Sequence, residues 1–179
     1  MSNDGRHRLS YIIATLGPST DNEKELITML MAGIARQWIE GVDIARVLHS
    51  DGEEIAKNRI EIFRGQSTKR NLTTRIYLDT DQESPNTEEY IAFSNSIKPD
   101  IVTFPKSLGL DFFRGLSSKI ESDSKICVRF LKTDSVDDAD DFLYDPGVNP
   151  WSHDSRIPSP FIWLSFSLMR WGLKSSPCF

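Results

Sequence analysis

The chain has 179 residues, enough for one domain with a real core and short for two. Its 21 basic and 26 acidic residues leave a formal charge of −5, so there is no electrostatic reason to expect nucleic acid or an anionic membrane as partner. Two cysteines, Cys127 and Cys178, match neither a disulfide framework nor a metal knuckle, which makes a reducing compartment the expectation. The polar start MSNDGRHRLS lacks the apolar core of a secretion signal. No stretch reaches the roughly 18 to 20 apolar residues that a membrane span needs, and the expected location is cytoplasmic.

After a polar lead, residues 1–8, the run Tyr11–Ala14 enters a turn at Gly17-Pro18. Thr20 and Glu23 then have the spacing of a capping box, so a strand ends and a helix begins. Leu26, Met29, Leu30 and Gly33 share one face of a helix predicted over about Asn22 to Ile34. Residues 34–41, IARQWIEG, could prolong that helix, but they follow its natural stop at Gly33 and are read as an insertion.

The stretch Gly41 to Gly52, GVDIARVLHSDG, is the one around which the rest is arranged. Val42 and Ile44 open a short β-branched run, Asp51-Gly52 makes a turn, and the strand delivers Arg46 to a strand-to-helix corner. In parallel α/β folds ligands gather at such corners, because loop backbone and side chains converge there without having to pack the core. A surface ion pair is the plainer use of Arg46.

Ala56, Ile60 and Phe63 mark a second helix, closed by Gly65 and the polar residues 66–71. Thr74–Leu78 forms a third strand that ends in Asp79-Thr80, and Thr87–Ile97 a helix with Tyr90, Ile91 and Phe93 on its apolar side. Asp100–Phe104, Leu108–Ile120 and Lys125–Leu131 follow as strand, helix and strand. This alternation with short connections predicts an α/β fold of about five parallel βα units. The carboxylates of Asp134, Asp137, Asp138, Asp140 and Asp141 read as a solvated first helical turn, since they lack a spaced cation-loop pattern. His49 reads as a packing residue, because no partner carboxylate or nucleophile identifies it as a base.

From Pro146 the pattern breaks. Residues 146–179 carry Pro150, Pro158, Pro160 and Pro177 with Trp151, Trp163 and Trp171, and show no strand alternation. They are expected to be an unrelated, poorly ordered tail.

The order of three motifs, ATLGPSTDN after the first strand, GVDIARVLHSDG at the second and IYLDT at the third, resembles the pyruvate kinase family. That family runs from a T-x-G-P turn through A-R-x-N-x-S-H-G to L-D-T-K-G-P-E, and PDIVTFPKS and KICVRFLKTDSVDDADDF look like its next two strands. The likeness lies within residues 9–145 and implies a partial TIM (β/α)8 barrel without the capping and carboxyl-terminal domains. It further implies that Arg46 contacts the phosphoryl group of phosphoenolpyruvate, a task suited to a permanently charged fork. Ser50, Asp79 and Thr80 would form part of a potassium site in which Leu48 replaces an asparagine. Arg129 would stand where the family has a catalytic lysine, and Leu131 where it has a magnesium-binding glutamate, so the magnesium site is lost. Asp81 puts negative charge where nucleotide phosphates would approach.

The implied family reaction is phosphoryl transfer from phosphoenolpyruvate to ADP, with this truncated chain expected to be inactive alone. Two further expectations stand beside it. One is a non-catalytic module that joins a complete pyruvate kinase subunit through open strand edges. The other is a defective gene-model product, with residues 34–41 and 146–179 translated from non-coding sequence.

Overall fold

The computed structural model describes residues 12–31, 41–116, 118–130 and 162–166. Six strands, β1 (Ile13–Thr15), β2 (Ile44–Leu48), β3 (Arg75–Asp79), β4 (Ile101–Pro105), β5 (Lys125–Phe130) and β6 (Ile162–Phe166), form one sheet in simple sequence order. Every pairing is parallel. Helices α1 (Glu23–Met31), α2 (Glu53–Lys69), α3 (Thr87–Ile97) and α4 (Leu110–Leu116) connect the first five strands.

All four helices pack on the same face of the sheet. Leu26 and Leu30 of α1, Ile60 and Phe63 of α2, Tyr90 and Phe93 of α3, and Phe113 and Leu116 of α4 share one buried cluster with Ala45, Val47, Ile76, Leu78, Val102, Phe104, Val128 and Phe130 of the strands. Because strand side chains alternate, Ile44, Tyr77, Ile101 and Cys127 point to the opposite face, where they form a second buried cluster. Both faces of the sheet are therefore apolar in its middle, as buried parallel sheets require. Sequential strand order with helices on one side is the winding of a barrel wall. A doubly wound sheet would reverse its strand order and carry helices on both faces.

Several elements differ from their sequence-based bounds for identifiable reasons. Thr20 closes a 3-10 turn, Pro18–Thr20, on Gly17, its hydroxyl exchanging hydrogen bonds with the Gly17 N–H and C=O at 2.9 Å each. The start of α1 is instead capped by Asn22, whose Oδ1 accepts from the Lys24 N–H at 2.9 Å. Helix α2 runs past Gly65 to Lys69, since Gln66 and Ser67 are buried and Gln66 bonds Glu23 of α1. It stops where Asn71 adopts a left-handed backbone. Gly41 is obligatory for space: a Cβ there would lie 1.9 Å from the Leu30 carbonyl oxygen. Strand β6 falls in the stretch expected to be unstructured, and pairs with β5 over five residues from Ile126↔Ile162 to Phe130↔Phe166. The fifth strand is thus not an open edge.

Candidate functional site

The carboxyl ends of the strands carry a polar layer on the face opposite the helices. Thr15 lies beside Arg46, and Asp79 beside Thr103. Arg129 extends from the end of β5. These are positions two residues beyond the apolar cluster of Ile44, Tyr77, Ile101 and Cys127, so the same alternation that builds the core below delivers polar groups above.

Asp79 is the centre of this layer, its side chain only 2% exposed. Its Oδ2 accepts from Arg46 Nε at 2.9 Å and Arg46 Nη2 at 2.6 Å. Its Oδ1 accepts from Arg129 Nη1 at 3.0 Å and from the Asp81 N–H at 3.0 Å. Both carboxylate oxygens are committed, one to each arginine. Arg129 is 5% exposed and also donates from Nη2 to the Gln82 carbonyl at 2.5 Å. Arg46 is different: 30% of its side chain is exposed, and among the described residues its Nη1 meets Thr15 Oγ1 alone, at a long 3.5 Å. Lys106, immediately after β4, adds a further cation at this edge, with its ammonium 5.8 Å from the centre of the Phe130 ring.

Two cations around one carboxylate leave a net positive charge, and the accessible part of it is a planar guanidinium edge. Such a surface can hold and orient an oxyanion. The Thr80 and Thr103 hydroxyls are buried and, among the described residues, have no hydrogen-bond partner.

Of the residues expected at the site, Arg46, Asp79 and Arg129 come together. Thr80 is fully buried, while Ser50 lies exposed in the 3-10 turn His49–Asp51. Asp79, expected to ligate potassium, has a guanidinium on each of its two carboxylate oxygens. Leu131 and the aspartates from Asp134 to Asp141 lie outside the described residues, and among the described residues no group of three or more His, Cys, Asp or Glu could hold a metal. His49 packs edge-on against Tyr90 and beside Phe93, with Glu53 Oε1 3.6 Å from its Nε2, too far for a hydrogen bond.

A second cluster at the same edge was not visible in the sequence. Arg59 of α2, 6% exposed, grips both oxygens of Asp21 with Nε and Nη2 at 2.5 and 3.0 Å, and gives Nη1 to Asp51. Asp21 follows the turn after β1, and Asp51 the turn after β2. The guanidinium holds the Asp21 carboxyl below its ordinary pKa, and Asp21 in turn raises that of Arg59. Partners 38 residues apart have no local spacing by which a sequence reveals them.

No family model matches the chain, and no curated protein does. Among solved structures, a presumed phosphonomutase from Burkholderia cenocepacia J2315 superposes with a TM-score of 0.51 at 15% identity, over 72% of this chain and 57% of its own length. A presumed mandelate racemase from Bordetella bronchiseptica RB50, complexed with 2-oxoglutarate/phosphate, gives 0.46 at 11% identity, over 78% of this chain and 34% of its own. The first likeness and the strand order together define the fold as a partial α/β barrel. This chain spans little more than half of that neighbour.

The pyruvate kinase membership drawn from the motifs, and with it the phosphoryl transfer to ADP, is corrected by these findings: the neighbour that superposes at 0.51 bears another name, and no family model or curated protein supports the membership. The reason is physical. Parallel barrels of many kinds turn after a strand and present polar side chains at their carboxyl edge, and three short motifs do not separate one such barrel from another. The module for a pyruvate kinase subunit loses its basis with the family. The gene-model reading finds no support either, since residues 162–166 of the tail join the sheet.

Proposed function

We propose that the carboxyl-terminal edge of this sheet binds a small phosphorylated or phosphonylated carboxylic acid, held by Arg46 with Arg129 behind it. The observation that carries this reading is the Arg46 guanidinium, fixed in place by Asp79 through Nε and Nη2 while 30% of its side chain stays exposed and Nη1 has only a long contact among the described residues. A fork held by one carboxylate loses little further freedom when it binds a second oxyanion, so the ordering cost is already met by the fold. The long contact from Nη1 to the exposed Thr15 hydroxyl marks where that oxyanion would sit, between a charged and a neutral donor. The likeness to a presumed phosphonomutase adds a reason to choose phosphonates beside phosphates as probes. Phosphoenolpyruvate belongs to the same class of ligand. No described helix is long and apolar enough to cross a membrane, and the buried thiol of Cys127 suits a reducing cytoplasm as the place of action.

A thermal melt of the full chain with phosphoenolpyruvate and, separately, phosphonoacetate tests this. At about 100 times its dissociation constant a ligand of the folded state adds about 2.7 kcal/mol, a rise of several degrees in Tm. Wild type is expected to show that rise and Arg46→Ala to show none. An equal rise in both proteins, or none in wild type, would overturn the reading.

A further inference from the structure

We infer that Arg59 is a positioning residue for the anion site: it locks together the two loops that leave the sheet on either side of Arg46. This rests on the reading above. The β1 loop starts at Thr15, the hydroxyl nearest Arg46 Nη1, and passes through the Pro18–Thr20 turn to Asp21. The β2 loop starts just beyond Arg46 and passes through the His49–Asp51 turn to Gly52. Arg59 reaches up from α2 and fastens the far end of each, Asp21 by two hydrogen bonds and Asp51 by one. The ladder bond from the Leu16 N–H to the Arg46 carbonyl, 2.8 Å, ties the near ends. Thr15 and Arg46 are thereby held at both ends of their loops.

Arg59 has a second effect of the same sign. Asp21 and Asp51 are acidic groups in the loops that border an anion site, and Arg59 pairs with both of them. Without it, two loosened loops would bring two unpaired carboxylates to the edge where an anion must approach, and like charge there opposes binding. The planar fork is essential to this task, because one guanidinium engages two carboxylates in fixed directions and an ammonium does not.

Titration calorimetry of phosphonoacetate against the full-length wild type, Arg59→Gln and Asp21→Asn tests the inference, at a temperature where circular dichroism shows each protein fully folded. A merely structural role would lower Tm without changing affinity under those conditions. Affinity is expected to fall about tenfold in Arg59→Gln, and to fall by less in Asp21→Asn, where the loosened β1 loop is partly offset by the loss of one carboxylate from that edge; this milder change serves if Arg59→Gln does not fold. Arg114→Gln, which removes an exposed partner of Asp111 on α4, is expected to bind like wild type. Wild-type binding with unchanged affinity in the folded variants would overturn the role of Arg59 while leaving the anion site standing. No binding by wild type would overturn the anion site itself, and this role with it.

Discussion

Replacing Asp79 by leucine should be among the most damaging single changes to this fold, and its cost can be set against that of its partners. The carboxylate is buried, and its removal strands Arg129, which is 5% exposed and has no other carboxylate within reach among the described residues. Breaking a buried pair from one side costs about 3 to 5 kcal/mol, because the remaining charge stays desolvated. Arg46 loses the same partner but is 30% exposed, so water can take over much of the lost interaction. Arg46→Leu should therefore cost only about 1 kcal/mol. At about 2 to 4 °C per kcal/mol for a chain of this size, Asp79→Leu should lower Tm by on the order of 10 °C, several times the shift in Arg46→Leu. The double variant Asp79→Leu, Arg129→Met should recover much of the loss, since two apolar side chains can replace a buried ion pair at little cost. Urea denaturation followed by circular dichroism reads all three. Equal destabilisation by Asp79→Leu and Arg46→Leu, with no recovery in the double variant, would refute the arrangement of the layer.

Other consequences are as direct. Gly65→Ala should stabilise the chain by about 0.5 to 1 kcal/mol, because Gly65 lies inside α2 with open space where a Cβ would stand; a urea midpoint below wild type would contradict this. Gly41→Ala should prevent normal packing of β2 against the end of α1, given the 1.9 Å approach to the Leu30 carbonyl oxygen, and a wild-type melting curve would count against it. The lowered pKa of Asp21 means that its pairing stabilises the fold above its unfolded pKa of about 3.9 and is lost as pH falls through the folded value. Asp21→Asn should thus lose stability relative to wild type at pH 7, by less than about 1 kcal/mol because the carboxyl is 45% exposed, and the difference should vanish as pH falls through the folded pKa. Burial raises the Tyr90 phenol well above its usual range, and its hydroxyl donates to the Leu78 carbonyl at 3.1 Å. Tyr90→Phe should cost about 1 kcal/mol, and in alkaline titration Tyr90 should ionise only as the protein unfolds.

The sequence was most informative where local chemistry and the fold agree. The alternation of strands and helices, the bounds of α3, and the placement of Arg46 and Asp79 at strand ends could be read from periodicity and turn residues, while Arg129 was singled out only through the family resemblance. Strand β6 was missed because its stretch, Phe161 to Met169, is apolar except at Ser165 and Ser167 and lacks the strict alternation by which a strand is read. The Gly65 stop failed because tertiary bonds of Gln66 outweighed the intrinsic cost of glycine in a helix. The pairing of Asp79 with two arginines could not be read from the sequence, because only the approach of β2, β3 and β5 in space brings them together. The Arg59 clamp spans three separate segments and left no pattern at all in the sequence.

The most direct test is to watch the arginines themselves. Arginine side-chain nuclear magnetic resonance on the full chain, with each Nε–Hε signal assigned by substitution, can be followed as phosphonoacetate is added. Saturable movement of the Arg46 and Arg129 signals, with Arg114 unmoved, is the predicted result. Movement of all arginines in proportion to ionic strength, or none at Arg46, would contradict the proposal that this edge of the sheet is an anion site.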